Sequence, residues 1–168
     1  MSKDYRGHYY IGIDPGLTSG GIVVIDGDGK VDSEICLKDC DKYAHETVVK
    51  QFLDKIPYAD INTVCIEEIS PSGIFGASKS ACSKLYASYR SILAILHCMG
   101  IGYRTVNSKM WQAHFEMTKG LKSKERKDRL LDKAATYWPM LPSYPMKDQR
   151  QLCDAYLIAR YGRDLAKG

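Results

Sequence analysis

The sequence contains no apolar run long enough to cross a membrane, and its first ten residues lack the apolar core of a secretory signal. We therefore expect no membrane segment and a cytoplasmic location. Internal repeats, low-complexity segments and interdomain linkers are also missing. A chain of 168 residues without these features is expected to form one domain, spanning residues 1–168, with a sizeable hydrophobic core.

The six cysteines include no CxxC pair, and Cys36 and Cys40 have no second pair of cysteines or histidines to complete a zinc site. We expect free thiols in a reducing compartment. Charge of one sign does not dominate either. Lysine and arginine exceed aspartate and glutamate by 24 to 20, a mildly basic balance that is compatible with nucleic acid but does not indicate it alone.

The sequence does contain a regular succession of strand and helix patterns. Alternating apolar residues predict strands at 9–14, 21–26, 30–38, 61–69 and 102–106. Apolar residues three or four apart predict helices at 44–56, 78–98, 130–138 and 147–161, the last ended by Gly162, and a short helix near 107–115. This order predicts an α/β fold with a five-stranded mixed sheet. Strands 1–3 form an antiparallel meander, strands 4 and 5 are parallel, and helices flank both faces.

Carboxylates fall at three places where an isolated charge is costly. Asp14 ends the first strand, Glu67 and Glu68 end the fourth, and Asp154 shares a helix face with apolar residues three and four positions later. If the first and fourth strands are neighbours, Asp14 and one of the two glutamates meet at one sheet edge. Ligand sites in open α/β sheets gather at such strand ends.

Two explanations fit these positions. In the first, each carboxylate is satisfied separately: Asp14 by the amides of its turn, Glu68 by solvent, and Asp154 by an arginine such as Arg150. In the second, the carboxylates converge on a divalent cation such as Mg²⁺, which prefers oxygen ligands. We favour the second because a single cause then accounts for all the acids.

The segments that carry these acids resemble the motifs of one known family. The run "IGIDPGLTSGGIVVID" resembles the first motif of RuvC-type Holliday junction resolvases, "CIEEIS" their second and "CDAYLIARYG" their last. Between the second and the last, "VNSKMWQAHF" and "KSKERKDRLLDKAATYWP" are similar to a segment of phage-like members. The resemblance covers nearly the whole chain in the right order, and it implies a ribonuclease H-like fold.

The resemblance also implies an activity and its residues. The family is a metal-dependent endonuclease, usually a homodimer, that nicks opposed strands of a four-way DNA junction by two-metal phosphodiester hydrolysis. Its catalytic, metal-binding acids fall on Asp14, Glu67 and Asp154. We choose Glu67 over Glu68 because it directly follows the isoleucine of the motif. Mg²⁺ is the implied ion, and Mn²⁺ is expected to substitute for it.

The chain departs from the family at two places. The family has an acid or a histidine three residues before its last aspartate, whereas this chain has Gln151, whose amide oxygen brings no charge. Asp148 is the alternative fourth ligand, although it lies six residues from Asp154 and is also a candidate helix cap. Some relatives have an aromatic residue three positions after the glutamate. Ser70 stands there in this chain, and Phe75 is the candidate for stacking on the junction.

Basic side chains indicate a surface for DNA. Residues 119–133 hold seven basic and three acidic side chains, a pattern that a solvated helix face also produces. Beside a nuclease site, contact with phosphates is the better explanation. The candidate DNA-binding residues are Lys79, Lys84, Arg90, Lys109, Lys122 and Lys124.

Three other functions fit parts of the sequence. A nuclease of the same fold for other branched DNA or replication intermediates would use the same acids. A catalytically weak junction-binding protein would account for Gln151. ATP-binding phosphotransferases of the actin and sugar-kinase type have a first loop similar to "GIDPGLTSGG", but they need a second, homologous half that is missing here. We therefore expect no nucleotide cofactor.

Overall fold

The computed structural model describes residues 8–16, 18–39, 45–70, 78–117 and 120–168. Its strands are β1 (Tyr9–Asp14), β2 (Gly21–Ile25), β3 (Val31–Cys36), β4 (Ile61–Glu67) and β5 (Arg104–Val106). Its helices are α1 (His45–Leu53), α2 (Lys79–Cys98), α3 (Ser108–His114), α4 (Ser123–Tyr137) and α5 (Met146–Lys167). The predicted order of strands and helices is confirmed.

Strand β1 lies at the centre of the sheet. The strand order is β3-β2-β1-β4-β5. Strands β1, β2 and β3 pair antiparallel, whereas β4 is parallel to both β1 and β5. The predicted mixed sheet is therefore confirmed, and β1 separates its antiparallel half from its parallel half.

Helices cover both faces of the sheet. On one face, α1 and α2 pack over Ile11 and Ile13, and on the other α5, with α3 and α4, packs over Tyr10. Because successive side chains of a strand point to opposite faces, Asp14 shares the α5 face with Tyr10 and Gly12. The alternation along β1 thus directs its terminal carboxylate towards α5.

Helix α5 is longer than predicted. It continues through Gly162 to Lys167, so the prediction that Gly162 ends the helix was wrong. A Cβ atom on Gly162 would lie 2.7 Å from the Cys65 sulfur, so this glycine allows α5 to approach β4 closely. Packing on the sheet therefore outweighs the roughly 1 kcal/mol that one glycine costs inside a helix.

The described cysteines, Cys36, Cys65, Cys82, Cys98 and Cys153, have free thiols, and Cys40 lies outside the described residues. Burial raises the pKa of the Cys65 thiol to about 11 and that of the Cys153 thiol well above its ordinary value. We therefore treat both as packing residues at the contact between α5 and the sheet. None of the helices within the described ranges has the length and apolar character of a membrane span.

Candidate functional site

Two of the predicted acids end neighbouring parallel strands. Asp14 is the last residue of β1 and Glu67 the last of β4, and the residues before them, Ile13 and Ile66, are partners in the ladder. Glu67 is partly buried, whereas Glu68 is exposed to solvent. The carboxyl ends of two parallel strands thus bring Asp14 and Glu67 to one edge of the sheet.

The third acid comes to this edge from α5. Asp14 and Asp154 line the same cavity of about 510 Å³, which lies between the β1–β2 turn, α4 and α5. Glu67 does not line the cavity, but its charge acts on Asp14 and the charge of Asp154 acts on Glu67. The three predicted acids therefore surround one site, with Asp14 and Asp154 as the pair open to the cavity.

The charge of Asp14 is poorly balanced by its surroundings. Burial raises the pKa of Asp14 well above its ordinary value, and the carboxylates of Asp154 and Glu67 raise it further. The Gly16 amide N–H, 3.3 Å from Asp14 Oδ1, and the charge of Lys127 act in the opposite direction. The turn amide predicted as a partner of Asp14 is present, but it does not offset burial and two like charges.

The other two acids are perturbed in the same direction. Burial and then the charge of Asp154 raise the pKa of Glu67 to about 7, while the indole N–H of Trp111 lowers it. The Trp111 nitrogen has no hydrogen-bond partner within the described chain. Its effect on the pKa of Glu67 therefore does not come from a well-formed hydrogen bond. Burial raises the pKa of Asp154 to about 6, against the charges of Lys127 and Arg126. Carboxyl groups perturbed in this way are typical of functional sites.

The donor atoms suit a hard divalent cation, although they are not gathered as a finished cluster. Among the described residues, no three His, Cys, Asp or Glu side chains lie close enough together to hold a metal as they stand. Gln151, on the wall of the cavity, is only 3% exposed, and its side-chain oxygen has no hydrogen-bond partner within the described ranges. A buried, unpaired oxygen is unfavourable unless it gains a partner. Anionic oxygens and a free amide oxygen together fit Mg²⁺.

The alternative fourth ligand, Asp148, is engaged elsewhere. It lies in the first turn of α5 and forms an ion pair with Lys38, which follows β3, and both side chains are less than one-fifth exposed. Asp148 does not line the cavity of Asp14 and Asp154. The side chain does not cap α5 either, since no side-chain cap bond is present at that end. Asp148 therefore fixes the start of α5 against the strand layer.

The predicted DNA-binding residues are exposed but lie outside the cavity. Lys79, Lys84 and Arg90 are on α2, Lys109 is on α3, and Lys122 and Lys124 are at the start of α4. Lys84 lines a second surface cavity that shares Thr18 and Ser19 with the cavity of the acids. Lys109 lines a separate groove beside α3 and α4. None of these six cations therefore lines the cavity that holds Asp14 and Asp154.

Three further cations, none of them among the predicted DNA-binding residues, line the acidic cavity itself. Lys127 comes from α4, and Lys147 and Arg150 come from α5. The α5 pair precedes Asp154 by seven and four residues, a helical spacing that the sequence contains and that could have identified them. Lys127 comes to the site only through the packing of α4, which no local pattern encodes. Arg150 forms no ion pair with Asp154 within the described chain, so the alternative in which this arginine satisfies the carboxylate is not supported.

The segment after β4 contains the position that is aromatic in some relatives, which is Ser70 in this chain, and one candidate for junction contact. Ser70 is exposed there. Phe75, the candidate for stacking on the junction, lies outside the described residues.

Comparison with known proteins agrees with this architecture. No protein-family model and no curated protein sequence matches the chain. The structure of Thermus thermophilus RuvC in complex with a Holliday junction substrate is similar, with a TM-score of 0.63 over 95% of this chain and 97% of that chain, at 17% identity. A second T. thermophilus RuvC structure gives a TM-score of 0.63 over 95% and 96%, at 14% identity. The chain therefore has the RuvC-type, ribonuclease H-like fold.

Proposed function

We propose that this chain is a metal-dependent DNA endonuclease that resolves four-way junctions. One observation carries the proposal: Asp14 and Asp154, from β1 and α5, line one cavity within range of the charge of Glu67. One similar structure is a RuvC bound to a Holliday junction substrate, which supports four-way DNA as the substrate class. We also propose one domain over residues 1–168 and a homodimer, because a two-fold dimer suits a junction of approximate two-fold symmetry.

The three acids would hold the metal. Asp14, Glu67 and Asp154 offer anionic oxygens to Mg²⁺, or to Mn²⁺ in its place, and Gln151 offers a neutral oxygen. Two such ions, when bound, supply positive charge beside the scissile phosphate and make water more acidic. The protein's own part is positional: β1 and β4 fix Asp14 and Glu67 at the sheet edge, and α5 carries Asp154 to the same cavity.

The DNA backbone would lie across the mouth of the cavity. Lys127, Lys147 and Arg150 surround the acids and are suited to phosphates on either side of the scissile bond. Thr18 and Ser19 connect this cavity to the one beside α2. The strand path we propose therefore continues past the exposed cations of α2, α3 and α4, which are Lys79, Lys84, Arg90, Lys109, Lys122 and Lys124.

Cleavage of three substrates tests this function. The protein is incubated with Mg²⁺ and a four-way junction, a flap or a linear duplex of matched sequence. We expect the junction to be cut fastest, and we expect Asp14→Asn to bind the junction without cutting it. Equal rates on the three substrates would reject junction selectivity, and preferential cutting of flaps would favour a nuclease for other branched DNA. Full cleavage by Asp14→Asn would reject the metal role of the acids.

A second candidate is a catalytically weak junction-binding protein, which the neutral Gln151 favours. It predicts junction binding without nicking in either Mg²⁺ or Mn²⁺. Gln151→Asp is the informative variant, because it restores the negative charge at the proposed fourth ligand position. A gain of nicking in this variant, with none in the wild-type protein, would favour the second candidate over the first.

A further inference from the structure

Building on the proposed nuclease function, we propose that Lys127 takes the place of a second divalent ion in the DNA-free protein, which therefore binds one ion per chain. Three observations lead to it: the charges of the cavity, the position of one lysine among several cations, and a buried side chain without charge.

The first observation is the balance of charge. When all three ionise to bind metal, the carboxylates of Asp14, Glu67 and Asp154 carry three negative charges, and Gln151 adds none. One divalent ion together with the Lys127 ammonium balances these three charges. Two divalent ions with Lys127 still in place would leave an excess of two positive charges in a partly buried site, where like charges repel strongly.

The second observation separates Lys127 from the other cations of the cavity. Lys127, Lys147 and Arg150 all line it. Of these three, Lys127 is the one whose charge lowers the pKa of both Asp14 and Asp154. Arg126 acts on Asp154 as well, but it lines the groove beside α3 rather than this cavity. Lys127 is therefore the cation that faces both acids from within their own cavity.

The third observation concerns Gln151. Its side-chain oxygen is buried on the cavity wall and unpaired within the described part of the chain. An amide oxygen ligates a hard cation without adding negative charge. Gln151 can thus complete the oxygen shell of one ion beside Asp14 and Asp154, yet it cannot supply the charge that a second ion would need while Lys127 remains.

Counting bound ions tests this assignment without relying on cleavage. Mn²⁺ is titrated into the DNA-free protein, and free Mn²⁺ is measured from its electron paramagnetic resonance signal. We expect one bound Mn²⁺ per wild-type chain. In Lys127→Met we expect a second Mn²⁺ to bind at least about ten-fold more tightly than in the wild-type protein, because the competing charge is gone. Lys127→Arg keeps the charge and should remain at one ion.

Two further variants complete the experiment. Arg129→Met removes a cation from the same helix, but Arg129 is exposed, pairs with Glu125 and does not line the cavity, so the ion count should stay at one. Gln151→Glu adds a charge and should also gain the second ion. Since Lys127 is exposed, Lys127→Met is expected to fold even if the buried Gln151→Glu does not.

The assignment is overturned if the wild-type protein binds two Mn²⁺ ions with similar affinity or none, or if Lys127→Met leaves the second ion unchanged. Its failure is distinguishable from failure of the proposed function. One bound ion with no junction cleavage would refute the nuclease and leave the charge assignment standing. Two bound ions with junction cleavage would do the reverse.

Discussion

A Cβ atom on Gly12 would overlap the carbonyl oxygen of Ala155, so β1 and α5 lie backbone against backbone. Gly12 precedes Asp14 by two residues on the same face of β1, and Ala155 directly follows Asp154. The absent side chain of Gly12 therefore sets how closely the two acids of the cavity approach each other. A residue chosen for packing thus controls the geometry of the proposed chemistry.

We expect Gly12→Ala to lower the free energy of unfolding by about 3 kcal/mol or more, because the added methyl group meets backbone atoms of α5 that cannot rotate away. Gly102→Ala is the matched control, since nothing lies within 4 Å of its Cβ position. We expect it to change stability by less than about 1 kcal/mol. Urea unfolding followed by circular dichroism measures both, and equal stability of the two variants would contradict the close contact.

Asp14→Asn should stabilise the protein when divalent ions are removed with EDTA at pH 8. The change removes a buried charge that Asp154 and Glu67 repel, while the side-chain oxygen can still accept from the Gly16 amide. We expect a gain of roughly 1–2 kcal/mol in the free energy of unfolding. Mg²⁺ should then raise the melting temperature of the wild-type protein and not that of the variant.

Asp26→Asn provides the comparison for this prediction. The Asp26 carboxylate accepts from the amides of Asp28 and Lys30 at 2.9 Å, whereas the Asp14 carboxylate accepts from the Gly16 amide at 3.3 Å. Neutralising it should not stabilise the protein. If Asp14→Asn proves no more stable than Asp26→Asn in EDTA, the repulsion among the three acids is weaker than the structure indicates.

The acids also predict a pH dependence of stability. The folded protein raises the pKa of Glu67 from 4.5 to about 7 and that of Asp154 from 3.8 to about 6. Between the unfolded and folded values the folded state binds more protons, so their contribution to stability is largest at low pH and falls as pH rises from about 4 to about 7. Glu67 alone accounts for a loss of up to about 3 kcal/mol.

Urea midpoints measured in EDTA from pH 5 to pH 8 isolate this effect when wild-type protein is compared with Glu67→Gln. The variant should lose less stability than the wild-type protein as pH rises, because residue 67 no longer titrates. Parallel curves for the two proteins would show that Glu67 titrates alike in the folded and unfolded states, contrary to its burial.

Asp148 and Asp154 should respond differently to the same change. Asp148→Asn weakens the pair with Lys38 at the start of α5, and we expect a loss of about 1 kcal/mol in the free energy of unfolding with unchanged Mg²⁺ affinity. Asp154→Asn should weaken Mg²⁺ binding at least about ten-fold without that loss of stability. Calorimetric titration with Mg²⁺ measures the affinities. Weaker binding by Asp148→Asn would indicate that Asp148 is a metal ligand after all.

The sequence predicts the sheet well because its signals are local. Alternation marks the strands, and the meander followed by helical crossovers leaves few ways to order them, which brings Asp14 and Glu67 to one edge. Asp154 stands out by the same kind of reasoning, since its helix face is otherwise apolar. The motifs that carry the family resemblance coincide with these positions, and the RuvC-type fold confirms that part of the resemblance.

What the sequence does not encode locally depends on contacts between distant elements. Gly162 has the pattern of a helix end, yet its lack of a side chain serves packing against Cys65. The pairing of Asp148 with Lys38 joins α5 to the end of β3, and Lys127 comes to the acids through the position of α4. Each of these roles is fixed by tertiary packing, which spacing within one segment cannot predict.

The distance along the chain between the two acids of the cavity has a consequence during protein synthesis. Residues 14 and 154 are 140 positions apart, so a ribosome completes β1 through β5 before it makes Asp154. A nascent chain at that stage already displays the exposed lysines of α2 but has only part of the proposed hydrolytic centre. Under the proposed function, cutting of DNA would begin only after α5 has emerged and docked, and unfinished chains would not act as nucleases.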